Sequence, residues 1–157
     1  MKRSGAAAAT VGSVLAVDIL TKALVVANLE DPGKTLTLIE DFLRFRVSRN
    51  PGAAFSLFPD GGVLLGIVAV VTIVVIAAVI GRMDRRSDVM GLALVAGGAT
   101  GNLIDRIFRG DGFLDGKVID FIDFSFFPSF NVADSAITVG AVIVIFAAFL
   151  GERSSTV

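Results

Sequence analysis

Aspartates are the main candidates for chemistry in this chain, because its 157 residues include no histidine and no cysteine. Ser-His and Cys-His triads, imidazole or thiolate metal sites and disulfides are therefore excluded. Any general acid–base chemistry must come mainly from Asp, Glu or Lys side chains. We expect no metal site and no cofactor.

Two aspartates lie in apolar surroundings on either side of a Phe-rich segment. Asp120 belongs to the run Val-Ile-Asp-Phe-Ile-Asp-Phe at 118–124, and Asp134 follows Phe-Asn-Val-Ala at 130–133. In a strand, Asp120 and Asp123 would point to opposite faces. Two carboxyl groups at short range cannot both be ionised, so one of them keeps a proton. The ionised group can then activate water, and the protonated group can protonate a leaving nitrogen. Asp120 and Asp134 are therefore the pair we expect to hydrolyse a peptide bond.

The same residues also have purely structural interpretations. Asn131 and Asp134 have the spacing of N-cap and N3 in a capping box, and a helix N-terminus favours an ionised Asp134. Asp105 and Arg109 are four residues apart, the spacing of an ordinary ion pair at a helix end. Asp120 could belong to a solvated loop, although its Val, Ile and Phe neighbours argue against that interpretation.

Further polar residues interrupt apolar segments. Asn102, Asp105 and Arg106 fall within about one helical turn. Asp18 and Lys22 are one turn apart inside the first apolar segment, where ionisable residues are usually functional but can simply pair. We expect Asp18 and Lys22 to support the site rather than to carry out the reaction.

Four apolar segments can hold these residues in a membrane. The chain is 54% hydrophobic and 18% charged, with a mean hydropathy of +0.81, whereas soluble domains average about 25% charged residues. A net charge of −1 without a basic stripe argues against nucleic-acid binding. Since a span takes about 20 apolar residues, we predict one all-α membrane domain over 1–157, a four-helix bundle with spans at about 5–28, 61–81, 89–108 and 132–151.

The distribution of basic residues predicts the orientation. Lys2, Arg3 and the 82–88 loop are densely basic, whereas the basic residues of 29–60 and 105–131 are spread over long segments. The positive-inside rule then places both termini in the cytoplasm and the two long segments outside.

The first outward segment contains a β pattern. Apolar and polar residues alternate over 43–48, which predicts a short half-buried strand. Asn50-Pro51-Gly52 is typical of a turn. We therefore expect a small β element on the outer membrane face.

Five sequence blocks follow one another along the chain. They are Val-Asp-x-x-Thr-Lys at 17–22, Arg-Asn-Pro-Gly-Ala-Ala-Phe-Ser at 49–56, Gly-Asn-Leu-Ile-Asp-Arg at 101–106, Val-Ile-Asp-Phe at 118–121 and Phe-Asn-Val-Ala-Asp-Ser at 130–135. In this order they resemble the signatures of the signal peptidase II family, the lipoprotein signal peptidases. The resemblance implies a bacterial inner-membrane enzyme with four helices and an extracytoplasmic β-cradle. It implies that prolipoproteins carrying a diacylglyceryl group are cleaved just before the lipidated Cys of the lipobox, in contact with membrane lipids, and that globomycin inhibits the reaction.

The resemblance also implies residue roles. By position in the blocks, Asp120 and Asp134 correspond to the catalytic dyad of the family. The segment Arg109–Lys117 is longer than the usual link, and its glycines would let it move, but the sequence does not decide whether it is a lid. The residues that match the polar and supporting residues of the family's site are Asn50, Asn102, Asp105, Arg106, Asn131, Asp18 and Lys22.

Two other functions are compatible with apolar spans. A proton-relay transporter would place carboxylates near the membrane midplane, but here only Asp18 lies deep in a span. A structural scaffold explains the spans but not the clustered Asn, Asp and Arg residues. We therefore expect an aspartic endopeptidase.

Overall fold

A computed structural model describes residues 3–52 and 61–153 of the chain. Positions 53–56 of the second signature block lie outside the described residues. The elements, in chain order, are α1 (Arg3–Leu29), β1 (Leu36–Ile39), β2 (Leu43–Asn50), α2 (Gly62–Val79), a short 3-10 helix (Ile80–Arg82), α3 (Arg86–Phe108), β3 (Val118–Phe124), β4 (Phe127–Phe130) and α4 (Val132–Arg153).

Helix α3 is the central helix and packs against α1, α2 and α4. Its small residues permit this close approach. A Cβ atom at Gly98 would lie 2.3 Å from the carbonyl oxygen of Ala133, and one at Gly91 would lie 2.8 Å from that of Gly140. The helices that surround α3 direct large apolar side chains such as Val74 and Phe146 outward, where they are 61% and 65% exposed.

Within residues 3–52 and 61–153, three helices are long and apolar enough to cross a membrane, over Arg3–Leu29, Gly62–Arg82 and Val132–Leu150. The described part of the chain is thus a helical membrane protein. The third predicted span, at about 89–108, falls on α3. This helix is long enough to cross a membrane but is not apolar enough to be counted with the other three. Glycines throughout α3 and charged or amide residues near both of its ends lower its hydropathy.

The β element is a four-stranded antiparallel sheet in the order β1-β2-β3-β4. The predicted strand over 43–48 is confirmed as β2, which pairs with β3 so that Ser48 is opposite Asp120 and Arg44 is opposite Asp123. The sequence did not reveal β1, whose four residues are all exposed, or β4, which contains Pro128. The Phe-Pro-Ser-Phe sequence of β4 lacks the alternation that identified β2, and in β1 the alternation covers only Leu36, Thr37 and Leu38 before Ile39 interrupts it.

Candidate active site

A cavity of ≈ 670 Å³ lies between α2, α3 and α4 and extends to the sheet. On α3 its lining runs from Val95 to Arg106, a rise of about 16 Å. The end of this lining near Val95 is apolar, and the end near Arg106 is polar. The polar side chains that line the cavity include Asn50, Asn102, Arg106, Asp120, Asp134 and Ser135.

Strand β3 presents Asp120 to this cavity. The side chain is almost completely buried and accepts two hydrogen bonds. Asn50 Nδ2 donates to its Oδ2 at 2.9 Å, and Asn131 Nδ2 donates to its Oδ1 at 2.7 Å. Burial raises the pKa of Asp120 to about 7, the neighbouring charge of Asp134 adds to the rise, and the hydrogen bonds from Asn50 and Asn131 oppose it. Asp120 can therefore gain or lose a proton near neutral pH.

Asp134 reaches the same cavity from the first turn of α4. Its Oδ1 accepts from Asn102 Nδ2 at 2.7 Å, and its Oδ2 accepts from the backbone N–H of Asn131 at 3.2 Å. The backbone N–H of Asp134 donates in turn to Asn131 Oδ1 at 2.9 Å. This reciprocal pair confirms the capping box predicted for Asn131 and Asp134. Asn131 donates to both carboxyl groups and so holds them together.

The three asparagines can present only their amide donors to the carboxyl groups. The side-chain oxygen of Asn50 accepts from the backbone N–H of Gly52 at 2.9 Å, and that of Asn102 accepts from Lys22 Nζ at 3.2 Å. The side-chain oxygen of Asn131 accepts from the backbone N–H of Asp134 in the capping box. Since ammonium and backbone N–H groups only donate, the side-chain NH₂ of each asparagine must face the other way, towards a carboxyl group.

A charge network, buried except for Arg109, lies beside Asn102. Lys22 Nζ is 2.8 Å from Asp18 Oδ2 and 2.8 Å from Asp105 Oδ2, and Arg109 Nε is 2.6 Å from Asp105 Oδ1. The predicted pairs Asp18–Lys22 and Asp105–Arg109 are therefore both confirmed. None of these four side chains is part of the cavity lining. The network reaches the site through Lys22, which donates to Asn102.

The network also positions the elements that carry the two aspartates. Asp18 Oδ1 accepts from the backbone N–H of Ala133, in the first turn of α4, at 3.0 Å. Asp105 Oδ2 accepts from the backbone N–H of Ile119, the neighbour of Asp120, at 3.1 Å. Each carboxylate is thus bonded to the residue that precedes one of the two aspartates.

Arg106 lines the cavity but holds the turn that follows β2. Its guanidinium donates to the carbonyl oxygen of Gly52 at 3.0 Å and to that of Pro51 at 3.5 Å. These bonds fix the turn whose N–H orients Asn50. Arg106 thus acts on the site through the backbone and through its positive charge.

Asp123 lies on the opposite side of β3 from the cavity, as the alternation of a strand predicts. It accepts hydrogen bonds from Arg44, from Arg46 at 2.7 Å and from Ser129 at 2.8 Å. Burial disfavours its charged form, but these bonds outweigh burial and lower the pKa of Asp123 to about 2. Asp123 is therefore an ionised anchor between strands.

Sequence reasoning missed the wall of the cavity that α2 provides. Leu65, Val68, Ala69 and Thr72 of α2 line the cavity. Thr72 is the single polar side chain of α2, and one residue is too weak a signal to separate this face from its apolar neighbours. Among residues 3–52 and 61–153, no group of three or more Asp or Glu side chains is arranged to hold a metal ion.

Comparison with known proteins identifies close relatives. Residues 10–150 match a family model described as signal peptidase (SPase) II. The chain is 47% identical over 141 residues to the lipoprotein signal peptidase of Rhodococcus jostii, covering 89% of this chain and 70% of that protein. It is 41% identical over 135 residues to the one from Streptomyces coelicolor, covering 86% of this chain and 66% of that protein. A solved structure titled as a bacterial membrane enzyme at 2.3 Å resolution matches with a TM-score of 0.82 and 27% identity, covering 98% of this chain and 92% of the solved one.

Proposed function

The chain belongs to the signal peptidase II family, and on that basis we propose that it is an aspartic endopeptidase that removes signal peptides from diacylglyceryl-modified prolipoproteins. One observation carries the aspartic mechanism: Asp120 and Asp134 line one cavity and both accept hydrogen bonds from Asn131. The cavity joins this polar end to an apolar groove, which suits a substrate that is part peptide and part lipid.

We place the protein in the bacterial inner membrane with α3 as the fourth span. Its 23 residues rise about 34 Å, enough for a hydrocarbon core of about 30 Å. Its low hydropathy is tolerable because α1, α2 and α4 cover it. The basic residues near the N-terminus and in the 82–88 loop support an orientation with both termini in the cytoplasm. The polar end of the cavity then lies near the outer face.

The lipidated substrate enters from the outer leaflet. Its acyl chains lie in the apolar groove between the faces of α2, α3 and α4, and its peptide crosses the outer ends of α3 and α4. This position brings the peptide bond before the lipidated Cys to the two aspartates. Globomycin would inhibit by occupying the same cavity.

In the proposed reaction Asp134 is the general base and Asp120 the general acid. The helix N-terminus and the donors Asn102 and Asn131 favour an ionised Asp134, whereas the raised pKa of Asp120 keeps much of it protonated near pH 7. Asp134 takes a proton from a water molecule as the water oxygen attacks the scissile carbonyl carbon, and Asp120 protonates the carbonyl oxygen. The carbon–nitrogen bond then breaks. The leaving nitrogen takes the proton held by Asp134, and the new carboxyl group returns a proton to Asp120.

The remaining residues support this pair. Asn50, Asn102 and Asn131 hold the carboxyl groups without adding charge. Arg106 stabilises the turn of Asn50 and offsets the negative charge of the dyad. Lys22, with Asp18 and Asp105, orients Asn102 and anchors the segments before the two aspartates.

The test is cleavage of a lipidated prolipoprotein by purified protein carrying Asp120→Asn or Asp134→Asn. We expect each variant to lose at least about a thousandfold in kcat/KM, since one carboxyl group cannot serve as both base and acid. Asp123→Asn is the matched control, because it removes a carboxylate from the opposite face of the same strand, and it should retain cleavage. Wild-type cleavage should be blocked by globomycin. Near-normal cleavage by a folded Asp120→Asn or Asp134→Asn protein would refute the dyad.

A further inference from the structure

The segment Arg109–Lys117 is folded onto the bundle as a clip, although its glycines would have allowed it to move. Leu114, in the middle of the segment, has a positive φ of 56° and is only 6% exposed. Two hydrogen bonds shape the segment around it: the N–H of Gly112 donates to Asp115 Oδ1 at 3.0 Å, and that of Gly116 donates to the carbonyl oxygen of Arg106 at 3.1 Å. The clip is thus attached to the outer end of α3.

The other side of the clip is seated on two glycines of α2. Gly62 and Gly66 are buried and form one small-residue stripe near the start of the helix. A Cβ atom at Gly66 would lie 2.9 Å from Leu114 Cβ, and one at Gly62 would lie 3.7 Å from Asp115 Cα. Such a stripe usually receives a neighbouring helix, but here it receives a loop. The Leu114 side chain therefore occupies a space on the surface of α2 that any residue larger than glycine at position 66 would fill.

This contact lies beside the α2 wall of the cavity. At about 100° per residue, the face that contains Leu65, Ala69 and Thr72 is turned roughly 70° from the stripe of Gly62 and Gly66. The main helix contact of α2 in the described structure is with α3, and the clip adds a second attachment at the outer end. The contact between Leu114 and Gly66 therefore affects the position of the α2 wall at the mouth of the cavity.

We propose that Leu114 and Gly66 are specificity-determining residues that set the width of the cavity mouth and so select the acyl chains of the substrate. This inference rests on the proposed function, because it assigns the cavity to a lipidated substrate. Neither residue lines the cavity, so both act by positioning α2. The longer link between α3 and β3 is then a means of fixing the lipid groove rather than a lid.

The experiment is a double-mutant cycle. Gly66→Ala adds a methyl group against Leu114 Cβ, an atom that no rotamer change can move away, so α2 and the clip must move apart. Leu114→Gly removes the Leu114 side chain and keeps the loop conformation, because glycine adopts a positive φ without strain. The double variant replaces this side chain by the new methyl group. Gly12→Ala is the control, since a Cβ atom at Gly12 has no neighbour within 4 Å.

Kinetics should be measured with prolipoproteins whose diacylglyceryl groups differ in acyl length. We expect Gly66→Ala and Leu114→Gly each to raise KM by about tenfold, with kcat changed less than about twofold, because the carboxyl groups are untouched. The rise in KM should be larger for longer acyl chains, which contact more of the α2 wall. The double variant should recover most of the loss, and Gly12→Ala should match the wild type.

Three results would overturn the inference. One is an unchanged KM in both single variants, another is a fall in kcat alone that follows the loss of folded protein, and the third is a double variant no better than the singles. These results differ from a failure of the proposed function. In that case the wild type does not cleave a lipidated prolipoprotein, or the Asn variants of the dyad still do.

Discussion

Replacing Asn50 by Ala should raise the pH at which cleavage declines on the alkaline side, even though it should weaken the enzyme. Asn50 donates to Asp120 Oδ2 and has its own side-chain oxygen engaged by the N–H of Gly52. It therefore stabilises the ionised form of Asp120 more than the protonated form. Without this donor the ionised form becomes less favourable, so the general acid keeps its proton to higher pH.

The size of the shift follows from one hydrogen bond. A hydrogen bond to a charged group contributes about 1.5–3 kcal/mol, and one pKa unit corresponds to about 1.4 kcal/mol. A water molecule that enters the space left by Asn50 would recover part of this energy. We therefore expect the apparent pKa of Asp120, about 7 in the wild type, to rise by about 0.5–1 unit. With a full unit, the protonated fraction at pH 8 grows from roughly a tenth to a half.

The assay is the pH profile of kcat/KM between pH 5 and 9.5, with a lipidated prolipoprotein and purified protein. The fitted alkaline limit belongs to the coupled pair of carboxyl groups, so wild type and variant are compared as whole profiles. Asn28→Ala is the matched control, because Asn28 is exposed and bonds only within α1, to the carbonyl oxygen of Leu24. Its profile should overlay that of the wild type.

An alkaline limit that stays in place or moves to lower pH in Asn50→Ala would refute this reasoning. A lower limit would mean that Asn50 stabilises the protonated acid, which its fixed orientation forbids. An unchanged limit would mean that Asp120 is not the group whose ionisation ends activity.

Three further outcomes follow from the same geometry. Lys22→Met should abolish cleavage and lower stability by about 3–5 kcal/mol, because two buried carboxylates lose their shared cation; normal cleavage and an unchanged melting temperature would contradict this. Asp123→Asn should lower the free energy of unfolding by about 1–2 kcal/mol at pH 7. This difference from the wild type should vanish as the pH falls from about 4 towards 2, because a lowered pKa stabilises the fold only while the carboxyl is ionised. Melting curves at several pH values measure the difference. Gly98→Ala should destabilise the α3–α4 contact, where the new Cβ would lie 2.3 Å from a carbonyl oxygen, whereas Gly12→Ala should not; equal melting temperatures would contradict this.

Interactions between residues close in sequence could be predicted. The capping box of Asn131 and Asp134 and the ion pairs of Asp18 with Lys22 and Asp105 with Arg109 span three or four residues, so helix geometry alone brings their members together. The opposite directions of Asp120 and Asp123 follow in the same way from strand geometry. In each case the local period specifies the contact before any tertiary structure is known.

Contacts between distant segments could not be predicted in the same way. Spacing placed Arg106 beside Asn102 and Asp105, but it did not show that the guanidinium donates to the Pro51 and Gly52 carbonyl groups. The glycines of 109–117 suggested movement, but Leu114 is held in the stripe of α2. Neither the residue types nor their spacing encode which distant segment fills the space beside them. Hydropathy likewise identifies a helix that faces lipid better than one, such as α3, that other helices cover.

The use of asparagine around the two aspartates has a physical reason that is visible only in the folded chain. An amide donor holds a carboxyl group without adding charge, whereas a second carboxylate would repel it and a cation would suppress the protonation that Asp120 needs. An amide can, however, turn around and present its oxygen. In Asn102 this is prevented by Lys22, whose Nζ has three oxygen atoms within 3.2 Å, one of them from Asn102. Turning the amide would leave a buried ammonium proton unpaired, at a cost of about 1–3 kcal/mol or more. The buried cation therefore determines the direction of the hydrogen bond to Asp134 although it touches neither carboxyl group of the dyad.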